Sequence, residues 1–286
     1  MTAQIMKPLP EFEADTLLQS PLFSPLHPVI DRLKGGGFPS LDLLNAELLA
    51  SDPPITVQNG CAVRFVTQEH GKLAFEAQYE PRCYLTGEVQ TRQSNWHDLL
   101  NALVWLTFPK TKAVINTRHY QALTSDSGFQ NGSGRGAVRD TNTLFDESGV
   151  IIACACPELA GLLRGFRWKT LFWQRRVEVQ TGMGFYLFGH GLYEKALQPY
   201  TGMTGQGLLL MVDPAFFCWS YIQQLAYLDE HLAEYLADPV HCCSTRELSP
   251  VPLLGVPGWA ADNRCASYYD NTGYFRSGRR SVRLSC

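Results

Sequence analysis

The sequence predicts a mostly helical α+β protein: a single globular domain with a small central sheet and irregular arms at both ends. Three observations carry that expectation. Apolar residues recur at helical spacing behind capping residues, most clearly after Asn95 and Asp213. Three short apolar runs, Val150-Ile151-Ile152, Phe185-Tyr186-Leu187-Phe188 and Leu208 to Val212, read as buried strands. No internal repeat and no linker-like shift of composition divides the chain, so one domain is the default.

Taken in order, residues 1–40 are punctuated by Pro21, Pro25, Pro28, Gly35-Gly36-Gly37 and Pro39, and read as an extended arm with one short helix at Ile30 to Lys34. Residues 41–238 form the core. Ser40 caps a helix from Leu41 to Ala50, stopped by Pro53-Pro54. Ala62 to Val66 and Leu73 to Ala77 flank a polar turn and read as a hairpin. Tyr79 to Arg92 reads as strand or loop with a turn at Gly87. A helix follows from Asn95 to Leu106, and Pro109 resets it into a second, Lys110 to Leu123. Ser125 to Gly136 is a glycine-rich loop, Val138 to Glu147 a helix, Gly149 to Ala155 a strand, and Pro157 to Gln174 helical again. Phe185 to Phe188 runs through Gly189-His190-Gly191 into a helix ending at Leu197. After Leu208 to Val212, Asp213-Pro214 opens the longest helix, to about Ala237. Residues 239–286 read as an irregular segment packed on the same domain.

The bulk numbers exclude several function classes. With 45% hydrophobic and 18% charged residues in 286, the chain can bury a sizeable core and is not disordered. A net charge of −3 is too small to call for a polyanionic partner, so nucleic acid is disfavoured. The longest apolar runs fall far short of the roughly 20 residues of a membrane span, and no membrane partner is expected. Met1 to Pro10 lacks the apolar block of a secretory signal, so a cytoplasmic location is expected. The nine cysteines lack the two-residue gaps of redox or zinc motifs; Cys154 and Cys156 read as small buried hydrophobes.

Candidate chemistry clusters at two places. His97 and Asn101 share one helix face, and Lys112, Asn116 and His119 share a face of the next. These polar groups sit among Trp, Leu and Val, so they form either a hydrogen-bonded structural network or a site. His190 lies at a strand-to-helix junction between Gly189 and Gly191, whose backbone would let a ligand approach closely. Glu194 follows one turn later, as orienter of His190 or as a second metal ligand. Asp146-Glu147 precedes a strand, where carboxylates bind divalent ions or simply make a turn. Arg135, within Asn131 to Gly136, offers an anion contact.

Grouped as one pocket, these residues point to a metal-assisted hydrolase of phosphoesters or similar polar substrates. His97, His190, Glu194 and Lys112 would carry the chemistry. Asn101, Asn116, Gly189, Gly191 and Arg135 would hold substrate, and His119 and Asp146 a divalent ion. The grouping requires His97 and His190 to lie within about 10 Å of each other, since ligands of one ion lie about 2 Å from it. The alternatives are a non-catalytic binding protein anchored by Trp259, Tyr268, Tyr269 and Tyr274, and a nucleic-acid-associated protein using Arg164 to Arg176 and the tail arginines.

Tyr79-Glu80-Pro81-Arg82, Asn95-Trp96-His97-Asp98, Phe108 to Lys112 with Asn116 and His119, Leu144-Phe145-Asp146-Glu147, Phe188-Gly189-His190 with Glu194-Lys195, and Gly255 to Trp259 carry a resemblance. The chain resembles an uncharacterised proteobacterial domain-of-unknown-function family, DUF3025. The resemblance implies one continuous domain in a bacterial cytoplasm, with the basic tail after Phe275 as an addition. It supplies no activity, cofactor or catalytic residue.

Overall fold

The computed structural model describes residues 9–125 and 133–278, without the side chains of 125 and 133–135. The strands are β1 (Arg64–Thr67), β2 (Glu88–Thr91), β3 (Gly149–Cys154), β4 (Met183–Leu187), β5 (Thr204–Met211) and β6 (Ser249–Pro252). The helices are α1 (Ala14–Leu18), α2 (His27–Arg32), α3 (Leu41–Leu49), α4 (Tyr79–Thr86), α5 (Trp96–Thr107), α6 (Pro109–Ser125), α7 (Ser133–Ser148), α8 (Pro157–Arg164), α9 (Arg176–Gly182), α10 (His190–Ala196) and α11 (Tyr221–Ala237). Helix outweighs strand, 55% against 13%, so the α+β, mostly helical expectation holds.

The main sheet has the order β4-β3-β5-β6, with β3 antiparallel to β4 and parallel to β5. β3 is central and every residue in it is buried, which is why Val150-Ile151-Ile152 reads as a continuous apolar run. β6 joins β5 at the edge, in a segment expected to be irregular. It carries Pro250 and Pro252, which an edge strand tolerates because one side needs no ladder donor.

Several elements depart from the expectation. Leu73 to Ala77 is not the second strand of a hairpin: Phe75–Ala77 is a 3₁₀ turn, and β1 instead pairs in parallel with β2. Between them lies α4, where strand or loop was expected. Pro81 stands in its first turn and Gly87, at φ 74°, terminates it in the left-handed conformation. Residues 9–40 are not an extended arm. They form α1, a 3₁₀ turn at Pro21–Leu26 and α2, and they bury Phe12, Phe23, Leu26 and Ile30 in the common core.

The long helix expected from Asp213 is two elements. Pro214–Cys218 is a 3₁₀ turn under the Asp213 cap, and a Ser220/Gln223 capping box opens α11. The turn leaves Ile222 exposed, while Leu225, Leu228 and Leu232 are buried. The helix expected from Pro157 to Gln174 stops at Arg164 and is followed by a π turn at Thr170–Gln174. The expected glycine loop lies outside the described residues at 126–132, and residues 133–136 already belong to α7.

Two features of this architecture build the site. The α5–α6 break at Phe108-Pro109 is as expected, and Asp229 of α11 secures it by accepting from the Lys110 and Thr111 amides at 3.0 and 2.9 Å. The β3–β4 ladder pairs Val150 with Leu187, so the end of α7 and the start of α10 leave the sheet side by side. α10 in turn packs on α5 and α7.

Candidate functional site

The three chain segments meet at His97, Glu147 and His190. His97 is the second residue of α5, whose start is fixed by Asn95 accepting from the Asp98 amide at 3.1 Å. Glu147 closes α7, and His190 opens α10. The Nε2 atoms of His97 and His190 are 3.1 Å apart. Glu147 Oε1 lies 3.4 Å from His190 Nε2 and 3.8 Å from His97 Nε2. The two histidines therefore meet the distance condition set for a common site, far inside the 10 Å limit. Among the described residues, His97, Glu147 and His190 are the group whose ligand atoms, all within 4.8 Å of one another, have metal-binding spacing.

The triangle fits an ion. The point equidistant from its corners lies about 2.0 Å from each, the length of Zn–N and Zn–O bonds. Its edges of 3.1, 3.4 and 3.8 Å bracket the ligand-to-ligand separation of about 3.3 Å that 2.0 Å bonds give in a tetrahedral site, and two imidazoles with one carboxylate are a known zinc set.

The outer faces of both imidazoles meet carboxylates. His97 Nδ1 lies 3.0 Å from Glu194 Oε2; the carboxylate accepts, so Nδ1 carries the proton and Nε2 presents a lone pair to the triangle. His190 Nδ1 faces Asp146 Oδ2 at 3.7 Å, and this buried nitrogen has no hydrogen-bond partner. Either neutral tautomer of His190 leaves one ring nitrogen facing an acceptor without a proton between them. A cation in the triangle resolves this, because Nε2 then donates its lone pair and Nδ1–H points at Asp146.

Asp146 is held from behind by Lys112, whose Nζ donates to Oδ1 at 2.5 Å from a side chain only 4% exposed. That ammonium also sits 5.7 Å from the Trp105 ring centre. Burial works to raise the Asp146 carboxyl, but the charges of Lys112 and His190 outweigh it and hold the group below the usual carboxylate range. With the proton on His190 Nε2, a hydrogen bond from that N–H is the first cause that lowers Glu147 as well, against burial. Both carboxylates are thus ionised, as ligand and ligand support require.

These contacts revise several expected roles. Lys112 has no free ammonium to carry chemistry; it is buried and committed to Asp146. Asp146 and His119 lie outside the ligand-spaced group, and Glu147, noted beside Asp146, takes the ligand position. Glu194 orients His97 rather than His190, because α10 turns it toward α5. Gly189 does not open space for a ligand: a Cβ there would fall 2.4 Å from the backbone nitrogens of Ser148 and Gly149, and its own amide donates to Gly149 O. A Cβ on Gly191 would meet Glu147 Oε2 at 2.3 Å. Both glycines therefore serve close packing of α10 on α7. The Arg135 side chain lies outside the described residues.

A cavity of about 480 Å³ opens beside the triangle. His97, Glu147 and His190 line one part of it, and Tyr79, Glu80, Asn101, His119 and Arg139 line the rest. Asn101 donates to Tyr79 Oη at 2.7 Å, and Asn116 to Glu80 Oε2 at 2.6 Å, so the two asparagines fasten α4 to α5 and α6. Burial raises the Glu80 carboxyl, partly offset by the charge of His119 and the Asn116 hydrogen bond. Tyr79 and Glu80 escaped the sequence reading because α4 was not expected to be a helix. Arg139 and Thr143 had a visible signal: with Asp146 they lie at i, i+4 and i+7 on one face of α7.

The remaining candidates do not assemble into a site. Arg176 binds Asn263, Lys169 pairs with Asp270, and Arg175 pairs with Glu178, so three of the five basic residues from Arg164 to Arg176 are taken up in local contacts, and Arg279, Arg280 and Arg283 lie outside the described residues. Tyr269 and Tyr274 are buried and hydrogen-bonded rather than exposed anchors. Cys154 is buried as expected and Cys156 partly so; the described cysteines are free thiols. No described helix is long and apolar enough to cross a membrane.

No curated protein and no solved structure matches the chain. One family model does, over residues 63–279, which places β1 to β6 and all three ligand-spaced residues inside the match and carries it past Phe275 into the start of the basic tail. The chain belongs to the protein family of unknown function DUF3025.

Proposed function

We propose that the protein is a metal-dependent hydrolase with a divalent ion, zinc by the chemistry of its donors, held by His97, His190 and Glu147. One observation carries the reading: three lone-pair donors from three separate elements converge on a point about 2.0 Å from each, beside an open cavity. An ion held by these three residues would supply Lewis acidity, lowering the pKa of water toward neutrality.

The chain's own residues supply the rest. Glu194 and the Lys112–Asp146 pair fix the tautomer and direction of the two imidazoles. His119 is buried in the cavity wall and has no hydrogen-bond partner among the described residues, which leaves its imidazole free to exchange a proton with substrate. Trp105, Phe108 and Phe188, all buried, surround this polar cluster with an apolar frame that strengthens its internal electrostatics. Phosphoesters and similar polar substrates suit a cavity lined by Gln68, Arg92, Asn101 and Arg139.

The test is hydrolysis of aryl phosphate, carboxylic ester and amide reporters by metal-free and zinc-reconstituted protein, beside Glu147→Ala. The proposal expects turnover that needs the metal and that the variant loses. Stoichiometric zinc without turnover of any reporter class would favour the non-catalytic binding reading.

A further inference from the structure

We infer that the substrate carries an anionic group, carboxylate or phosphate, which Arg139 holds about two helical turns from the reacting bond. This deepens the metal-hydrolase reading and rests on it.

The cavity wall carries both signs: the carboxyl groups of Glu80, Asp98, Asp146 and Glu147, and two guanidiniums. Arg92 and Arg139 are the arginines that line it. Arg92 is already taken: its Nε and Nη2 donate to the two carboxylate oxygens of Asp98 at 2.9 and 2.8 Å, and its amide donates to the same side chain at 2.7 Å. Lys112, behind the wall, is committed to Asp146. Arg139 has no carboxylate partner among the described residues. Its planar fork of donors is the group best suited to grip a carboxylate or phosphate.

The position of Arg139 fixes a length. It precedes Glu147 by eight residues on the continuous helix α7, which at 1.5 Å per residue separates them by about 12 Å along the axis. Both side chains lean toward the helix N-terminus, so the guanidinium and the Glu147 carboxylate keep about the same separation as their backbones. Thr143, which also lines the cavity, stands between them and offers a hydroxyl at the midpoint. A cavity of about 480 Å³ admits a molecule of this span. The substrate class is therefore an elongated small acid, hydrolysed at one end and anchored at the other. A compact ion such as inorganic phosphate does not satisfy both contacts.

The experiment uses straight-chain hydroxamates, which grip a zinc ion through one end, with the far end a methyl, a carboxylate or a phosphonate. Their affinities for the zinc-loaded protein are measured by calorimetry with wild type and Arg139→Ala. Arg139→Gln is run beside them to separate charge from shape. The inference expects an acid-ended chain long enough to cross two helical turns to bind about tenfold to a hundredfold tighter than its methyl counterpart. Both variants lose that gain and keep the affinity of the methyl-ended chain. The better of the two acids identifies the anion. Equal binding of acid and methyl chains, or a gain that both variants retain, overturns the anchor while leaving the metal reading standing. No zinc-dependent binding of any hydroxamate overturns both.

Discussion

Glu147 and His190 stand symmetrically about one residue pair of the central sheet. Glu147 lies three residues before Val150, His190 three residues after Leu187, and Val150 pairs with Leu187 across the antiparallel β3–β4 ladder. The separation of 3.4 Å between Glu147 Oε1 and His190 Nε2 is thus set by strand register. A slip of one residue would turn every side chain of β4 to the other face of the sheet, so the buried faces of β3 and β4 hold the site as well as the core.

The two glycines beside His190 are predicted to fail differently when given a methyl group. In Gly189→Ala the Cβ meets backbone atoms of Ser148 and Gly149, which cannot yield, so the variant is expected to misfold or to lose several kcal/mol of stability. In Gly191→Ala the Cβ meets first the end of the Glu147 side chain, at 2.3 Å, which swings aside, and then the Glu147 carbonyl oxygen at 3.1 Å, a contact that a small shift relieves. That variant is expected to keep its melting temperature and lose ion affinity. Thermal unfolding with and without zinc checks both.

The support behind the histidines is predicted to matter without touching substrate. Glu194→Gln and Asp146→Asn each weaken one imidazole's orientation and are expected to reduce ion affinity about tenfold to a hundredfold. A change of less than twofold in both would show that the carboxylates do not support the ligands.

Lys112→Met is predicted to change the pH dependence of stability. The Asp146 carboxyl is lowered in the folded chain, so its contribution is present above the ordinary carboxylate value of about 3.9 and is lost as pH falls through the folded value. Removing Lys112 takes away the largest lowering influence and leaves burial, which raises the group. Acid unfolding of the variant is expected to begin at higher pH than in wild type. Urea midpoints between pH 3 and pH 7, on the scale where that carboxylate titrates, check this.

Asp229 is predicted to be a stability residue remote from the chemistry. Asp229→Ala strands two amides at the start of α6 and is expected to cost about 1–3 kcal/mol, with ion affinity unchanged. Burial raises the Asp229 carboxyl against the hydrogen bonds it accepts, so the stability linked to its titration is fully present below the unfolded value and is lost as pH rises through the folded one.

The local parts of this site were legible in the sequence and the long-range parts were not. Asn95 as cap, Pro109 as a break, and the shared faces of His97/Asn101 and Lys112/Asn116/His119 follow from helical spacing alone. Spacing says which face a residue occupies, not what stands opposite. The partner of Glu194 depended on how α10 docks on α5, and the choice of Glu147 over Asp146 as ligand depended on the β3–β4 register. The α4 error had a different origin. Leu73 to Ala77 alternates too briefly to define a strand, while Pro81 and Gly87, at helix-start and helix-stop positions, carried the stronger signal.

Calorimetric titration of zinc into metal-free protein, beside His97→Ala and His190→Ala, decides whether the triangle holds an ion. One ion per chain is expected in wild type, with loss of tight binding in both variants. No binding by wild type, or binding that both variants retain, would contradict this.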